Sequence, residues 1–183
     1  MAAKKSVAVK IALPFSIFST MLGLYAATLS SWTWYSYHPL LASLSAAFLV
    51  AGSQIKKDGG YANTKLHGTL SALGSLCCFS SFYVIWSNKN VYDKPHFTSY
   101  HGQLGLAINV VMLTLGLVGS LALHPDFGQL KTNKTIRYLH NRTGKITIVL
   151  TLLAMVSGLI KRHTTIGYFI ALPVFMFITF LTL

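Results

Sequence analysis

The chain of 183 residues has no glutamate and only three acidic residues, Asp58, Asp93 and Asp126. A soluble domain carries about 25% charged residues, roughly balanced in sign. Here 10% are charged, and 15 Lys/Arg give a formal net charge of +12. That scarcity excludes an ordinary water-soluble globule. Cysteine is scarce too, and Cys77 and Cys78 are adjacent, so they cannot frame a disulfide scaffold. Low-complexity segments are missing, and 53% of residues are hydrophobic, which excludes a disordered chain. The basic excess does not point to nucleic acid, because such binders gather their cations on one soluble face, whereas these are scattered among long apolar runs. An integral membrane protein remains.

A membrane-crossing helix needs about 20 mostly apolar residues. Six stretches qualify, at 11–30, 37–55, 66–86, 99–123, 140–160 and 165–183. They are too long and too continuous to alternate as barrel strands do. The fold class expected is an all-α membrane protein, one domain over 1–183, with spans two to five forming a four-helix bundle. The first stretch has a basic head of Lys4, Lys5 and Lys10. It is expected to stay as a helix, because its apolar run is long for a signal peptide. Trp32, Trp34 and Trp86 near span ends read as interfacial belt residues, and mid-span Cys77 and Cys78 as small apolar ones.

Positive charge in short loops sets orientation. Lys4, Lys5, Lys10, Lys56, Lys57, Lys65, Lys131, Lys134, Arg137, Arg142 and Lys145 fall on one side. Lys89, Lys94, Lys161 and Arg162 fall on the other. The richer side is expected to be cytosolic, with both termini facing it.

Of seven histidines, His38, His67, His101 and His140 stand near the starts of four consecutive spans. Successive helices alternate in direction, so His38 and His101 share the outer side and His67 and His140 the inner. A lone interfacial His needs no function, since its ring can reach headgroup water. Four that pair by depth are harder to dismiss. Ala42, Ser71, Gly105 and Gly144 each follow one of them by one helical turn, on the same helix face. Small residues there also simply pack membrane helices, but beside a His they leave room for a flat ligand. The set fits two bis-histidine haems, whose iron accepts neutral imidazole. Zinc fits less well, because it wants four ligands at one point. Irons one or two turns deep in a core about 30 Å thick would lie about 10–20 Å apart. No carboxylate lies within a span, so no dedicated proton relay is expected. His124 and His163 read as solvated loop residues.

The segments Tyr37-His38-Pro39-Leu40, Lys65-Leu66-His67-Gly68, Lys94-Pro95-His96, Tyr100-His101-Gly102-Gln103 and Tyr138-Leu139-His140 with Gly144 together resemble the cytochrome b-561 family of di-haem transmembrane reductases. The resemblance covers roughly His38 to Ile160, and its core, about 37–160, would hold two haem b groups. It implies electron transfer from cytosolic ascorbate to an acceptor across the membrane, a monodehydroascorbate radical or a ferric chelate. It implies His67 and His140 as ligands of the cytosolic haem and His38 and His101 as ligands of the outer one. Lys65, Lys134 and Arg137 resemble the family's basic residues around the anionic donor; they could equally be positive-inside anchors or propionate partners. Lys94 and His96 match its acceptor-side segment. A homodimer in an endomembrane, vesicle or plasma membrane is also implied. Two other readings stand beside this one: a quinol-linked cytochrome b subunit, and a His-lined transporter without haem. A transporter would want broken helices and polar groups at mid-membrane, where these spans are largely unbroken.

Asn133-Lys134-Thr135 and Asn141-Arg142-Thr143 are glycosylation sequons. With their loop in the cytosol, both stay bare. Expression in a glycosylating cell followed by endoglycosidase treatment should leave gel mobility unchanged; a shift would invert the topology.

Overall fold

A computed structural model describes residues 7–162, and the sixth expected span and His163 lie outside them. Five α-helices run antiparallel in sequence order: α1 (Val7–Thr28), α2 (Tyr37–Lys57), α3 (Tyr61–Val91), α4 (Tyr100–Leu117) and α5 (Lys134–Arg162). Helix α4 continues through a π-helical turn, Val118–Ala122. Four helical stretches, 34–57, 61–91, 100–122 and 134–161, are long and apolar enough to cross a membrane, while the apolar part of α1 is shorter, at 12–28. Helices suit these sequences because hydrocarbon offers the backbone no partner, so each N–H and C=O must be satisfied within its own segment.

Where lipid ends, the helices do not. α3 begins at Tyr61 and α5 at Lys134, more than a turn before the apolar runs that mark them in the sequence. The polar segments Tyr-Ala-Asn-Thr-Lys and Lys-Thr-Ile-Arg-Tyr-Leu continue the helix into the interface, because hydropathy reports solvent rather than helicity. His67 and His140 are therefore each the seventh residue of a helix, not first-turn residues. His38 and His101 are each the second residue of theirs. Local chemistry starts the helices. The Ser99 hydroxyl accepts from Gly102 N at 3.3 Å, and the Asn133 amide oxygen accepts from Ile136 N at 3.0 Å, as N-caps do. Gly59 and Gly60, with φ of +70° and +85°, make the α2–α3 turn.

Helix α2 packs on α1, α3 and α5, and α4 on α3 and α5. The pairs α2/α4 and α3/α5 are thus the diagonals of a four-helix bundle, with α1 flanking it. Phe15 of α1, Ala46 and Val50 of α2, and Leu152 and Val156 of α5 form one buried cluster. Ile108, Met112 and Ala154 form another, against Cys78 and Phe79. Large apolar side chains such as Leu76, Leu113 and Leu121 point outward, which suits lipid and would be a liability in water. Three buried hydroxyls donate to backbone carbonyls: Thr147 and Thr151 to those of Thr143 and Thr147 at 2.8 Å, and Ser19 to Ser43 O on the facing helix at 2.8 Å.

Glycines fall into tight and open positions. A Cβ at Gly23 would stand 1.7 Å from Ser43 Oγ, and one at Gly74 would stand 2.9 Å from Leu49 Cγ. These glycines let α1, α2 and α3 approach closely, as small residues do where no hydrophobic force drives membrane helices together. At Gly105 on α4 and Gly144 on α5 the opposite holds, and a Cβ would meet no atom within 4 Å.

Gly23→Val should therefore destabilise the protein by about 1–3 kcal/mol through overpacking, while Gly105→Ala should be far milder. Thermal unfolding of the two variants in detergent tests this; equal losses would contradict the division.

Candidate functional site

The two diagonals each carry one pair of histidines. The rings of His38 (α2) and His101 (α4) have centroids 6.1 Å apart at an interplanar angle of 88°. At the other end of the bundle, the rings of His67 (α3) and His140 (α5) are 6.4 Å apart, also at 88°. A metal–imidazole bond is about 2.0–2.1 Å long, so a metal held linearly between two rings would set their centroids about 6.3 Å apart. Among the described residues no cluster of three or more His, Cys, Asp or Glu could hold a metal. A metal between either pair would therefore draw its remaining ligands from something other than protein side chains. Where the sequence places four histidines in two pairs by depth, the structure brings the same pairs together.

The ring nitrogens are not equivalent. His38 Nδ1 lies 3.0 Å from Ser81 O, His67 Nδ1 lies 3.0 Å from Gly52 O, and His101 Nδ1 lies 3.0 Å from Ala154 O. A carbonyl oxygen only accepts, so in each case Nδ1 carries the proton and Nε2 keeps its lone pair. That is the arrangement of a metal-ligating imidazole with a fixed tautomer. Hydroxyls add to it: Ser81 Oγ lies 2.9 Å from His38 Nδ1, and Ser157 Oγ lies 3.1 Å from His101 Nδ1. Ser71, one turn after His67, places its hydroxyl 3.5 Å from that ring's Nδ1, so it faces the imidazole rather than only clearing space. Among the described residues, buried His140 Nδ1 has no hydrogen-bond partner.

Spacing repeats with the ends exchanged. The interval from His38 to Gly52 on α2 equals the interval from His67 to Ser81 on α3, and each His bonds the other helix's second residue. On the other hairpin, Gly158 lies 3.1 Å (to a Cβ built there) from His101 Cε1, and Gly119 lies 3.2 Å from His140 Cε1 in the same sense. The intervals from His101 to Gly119 and from His140 to Gly158 are equal too. The bundle thus has an approximate two-fold relation that exchanges its ends. At a rise of about 1.5 Å per residue, the stretch of α2 from His38 to Gly52 puts the two pairs about 21 Å apart, just beyond the separation of about 10–20 Å expected from span depth.

Beside these pairs lie the charged residues singled out by sequence. At the His67–His140 end, Lys65 is paired with Asp126 at 3.1 Å, and Asp126 also accepts from the Tyr61 hydroxyl. Lys65 therefore has a protein partner that its position in sequence does not reveal. Lys134 and Arg137 stand exposed in the first turn of α5. His124 is half-buried rather than merely solvated, its ring stacked on Phe127 with centroids 4.0 Å apart. At the His38–His101 end, His96 stacks on Trp86 with centroids 3.8 Å apart, and its Nε2 lies 2.8 Å from Asn90 Oδ1. Lys94 is exposed, its ammonium 5.6 Å from the Tyr92 ring centroid. Trp34 donates to Ser87 Oγ at 2.7 Å, so two of the belt tryptophans also organise this end. Ser81, Ser157, Gly119 and Gly158 were invisible to sequence reasoning. They act on histidines many residues away, and lone serines or glycines in apolar helices carry no signature.

The model of the eukaryotic cytochrome b561 family matches residues 37–166. The transmembrane reductase CYB561D2 of mouse (Mus musculus) is 30% identical over 105 residues, covering 52% of this chain and 45% of that protein. Its bovine (Bos taurus) counterpart is 28% identical over the same shares. The chain spans less than half the length of these curated relatives.

The Tyr61 hydroxyl and the Lys65 ammonium hold the Asp126 carboxyl below the usual carboxylate range. A depressed folded-state value means the contact contributes above the unfolded value of about 3.9 and is lost as pH falls through the folded one. Limited proteolysis of the α4–α5 loop should therefore become faster in acid, and Asp126→Asn should be cut faster at neutral pH with little further response to acid. Identical cleavage of variant and parent would contradict this.

Proposed function

The chain belongs to the eukaryotic cytochrome b561 family, and on that footing we propose that it moves electrons across a membrane between two bis-histidine haem b sites. The observation that carries this is the matched pair of imidazole separations, 6.1 and 6.4 Å, on the two diagonals at opposite ends of one bundle. The residues present suit the group. Two imidazoles would hold the iron, and among the described residues no third protein ligand competes. Gly105 and Gly144, one turn after His101 and His140, have nothing within 4 Å of a Cβ position and would leave room for a flat macrocycle. When bound, haem would supply a one-electron couple suited to electron transfer.

The protein's own contribution is placement. His38 and His101 hold the outer site, and His67 and His140 the cytosolic one, with both termini in the cytosol by the positive-inside bias. In His38, His67 and His101 a protonated Nδ1 leaves the Nε2 lone pair available to a metal. Lys134, Arg137 and Lys65 give the cytosolic end the positive potential that draws an anion such as ascorbate. Asp126 partly offsets Lys65. At the other end Lys94 offers charge to an anionic acceptor, a monodehydroascorbate radical or a ferric chelate. His96 is fixed there against Trp86 and faces the same acceptor. No acidic residue lies in the described spans, so protons are gained and lost with substrates at each surface.

A visible spectrum of the purified chain, taken before and after ascorbate, tests the reading. Two low-spin b-type haems that ascorbate reduces are expected. His67→Ala and His101→Ala should each remove about half of that absorbance, and different halves, because each breaks one bis-His pair. Loss of the same component in both would overturn the pairing, and absence of haem would overturn the function.

A further inference from the structure

The two-fold relation between the bundle's ends is broken at the oxygen atoms that face the histidines. At the His38–His101 end each imidazole has both a carbonyl and a hydroxyl against Nδ1. Ser81 Oγ donates its own proton to His38 O at 3.0 Å, and Ser157 Oγ donates its proton to Ala154 O at 2.8 Å. Each hydroxyl therefore turns a lone pair, not a proton, toward Nδ1–H. At the other end the corresponding positions carry no hydroxyl. Ser81 follows His67 on α3 by the same interval that separates Gly52 from His38 on α2, so glycine stands in the serine's place. Likewise Ser157 follows His140 on α5 by the same interval that separates Val118 from His101 at the end of α4, so valine stands in the place of the second serine. His67 keeps the Gly52 carbonyl and a distant Ser71 hydroxyl, and among the described residues His140 Nδ1 is left without a partner. Val118 is also the first residue of the π-helical turn, where the helical carbonyls leave α register.

We infer that Ser81 and Ser157 are positioning residues that lower the midpoint potential of the His38–His101 site, and that the His67–His140 site lacks this device because Gly52 and Val118 stand where its hydroxyls would be. The inference rests on the bis-histidine haem reading above. An Nδ1–H that donates to an oxygen lone pair leaves the imidazole more electron-rich and a stronger donor to iron. A stronger donor favours the ferric state, and hydrogen bonding around the axial ligand is one of the protein's levers on haem potential.

Spectroelectrochemical titration of the full chain reads this directly, with the wave lost in His101→Ala assigned to the first site. Ser81→Ala and Ser157→Ala should each shift that wave upward, leave the other in place and keep the haem content of the parent. Ser157→Thr, which retains the hydroxyl, should leave the wave near its parental position. Val118→Thr, nearly equal in shape to valine, should shift the second wave downward by giving His140 an acceptor. A parent chain with fewer than two haem waves would sink the haem reading and this inference together. Two waves that Ser81→Ala and Ser157→Ala leave unmoved, or move alike, would sink this inference alone.

Discussion

An imidazole has one ring proton to give when neutral, and its destination decides which nitrogen is left to do chemistry. In His38, His67 and His101 that proton goes to a carbonyl 3.0 Å away on a neighbouring helix. Each carbonyl lies inside a helix and accepts the ring proton without giving up its ladder bond, and Ala154 O takes the Ser157 hydroxyl as well. The bonds therefore cost the helices nothing in lipid, where a carbonyl stripped of its ladder bond would be expensive. They also tie the rotamer of each histidine to the register of the adjacent helix. Ring separation, bundle register and the direction of Nε2 are consequently one quantity, not three.

The division between tight and open glycine positions serves that arrangement. Close approach at Gly23, Gly52 and Gly74 holds α1, α2 and α3 together as a slab. Against it, α4 and α5 leave space beside Gly105 and Gly144, and they meet the slab at mid-bundle through Ile108, Met112 and Ala154. A helical protein that filled this space with leucine would pack better and hold nothing flat. Beside the His38–His101 pair itself, a cavity is lined by Gly23 and Ala26 of α1, Ala42 of α2 and Gly158 of α5.

Much of this was legible in the sequence, for a physical reason. Lipid penalises polar groups so strongly that apolar runs outline spans, and a histidine at a span end is conspicuous against them. The pairing of His38 with His101 and of His67 with His140 follows from helix direction alone. What stayed hidden was relational. The helices at Tyr61 and Lys134 outrun their hydropathy, so His67 and His140 sit deeper along their helices than the apolar boundaries suggest. The Lys65–Asp126 pair joins residues 61 apart, and the Ser81 and Ser157 contacts join elements that only the folded bundle brings together. No window of sequence contains both partners. The matching intervals on facing helices are written in the chain, but without the contacts there is no reason to measure from those particular atoms.

The π-helical turn at Val118–Ala122 has its own consequence. It brings Gly119, in the turn's second position, against His140 Cε1. Each residue advances an α-helix by about 100°, so a single insertion or deletion between Leu117 and Gly119 would swing the glycine off that ring and bring a neighbour with a Cβ into its place. At this turn the chain is constrained in length as firmly as in composition, and homologous chains that keep the histidine should tolerate substitutions here more readily than gaps.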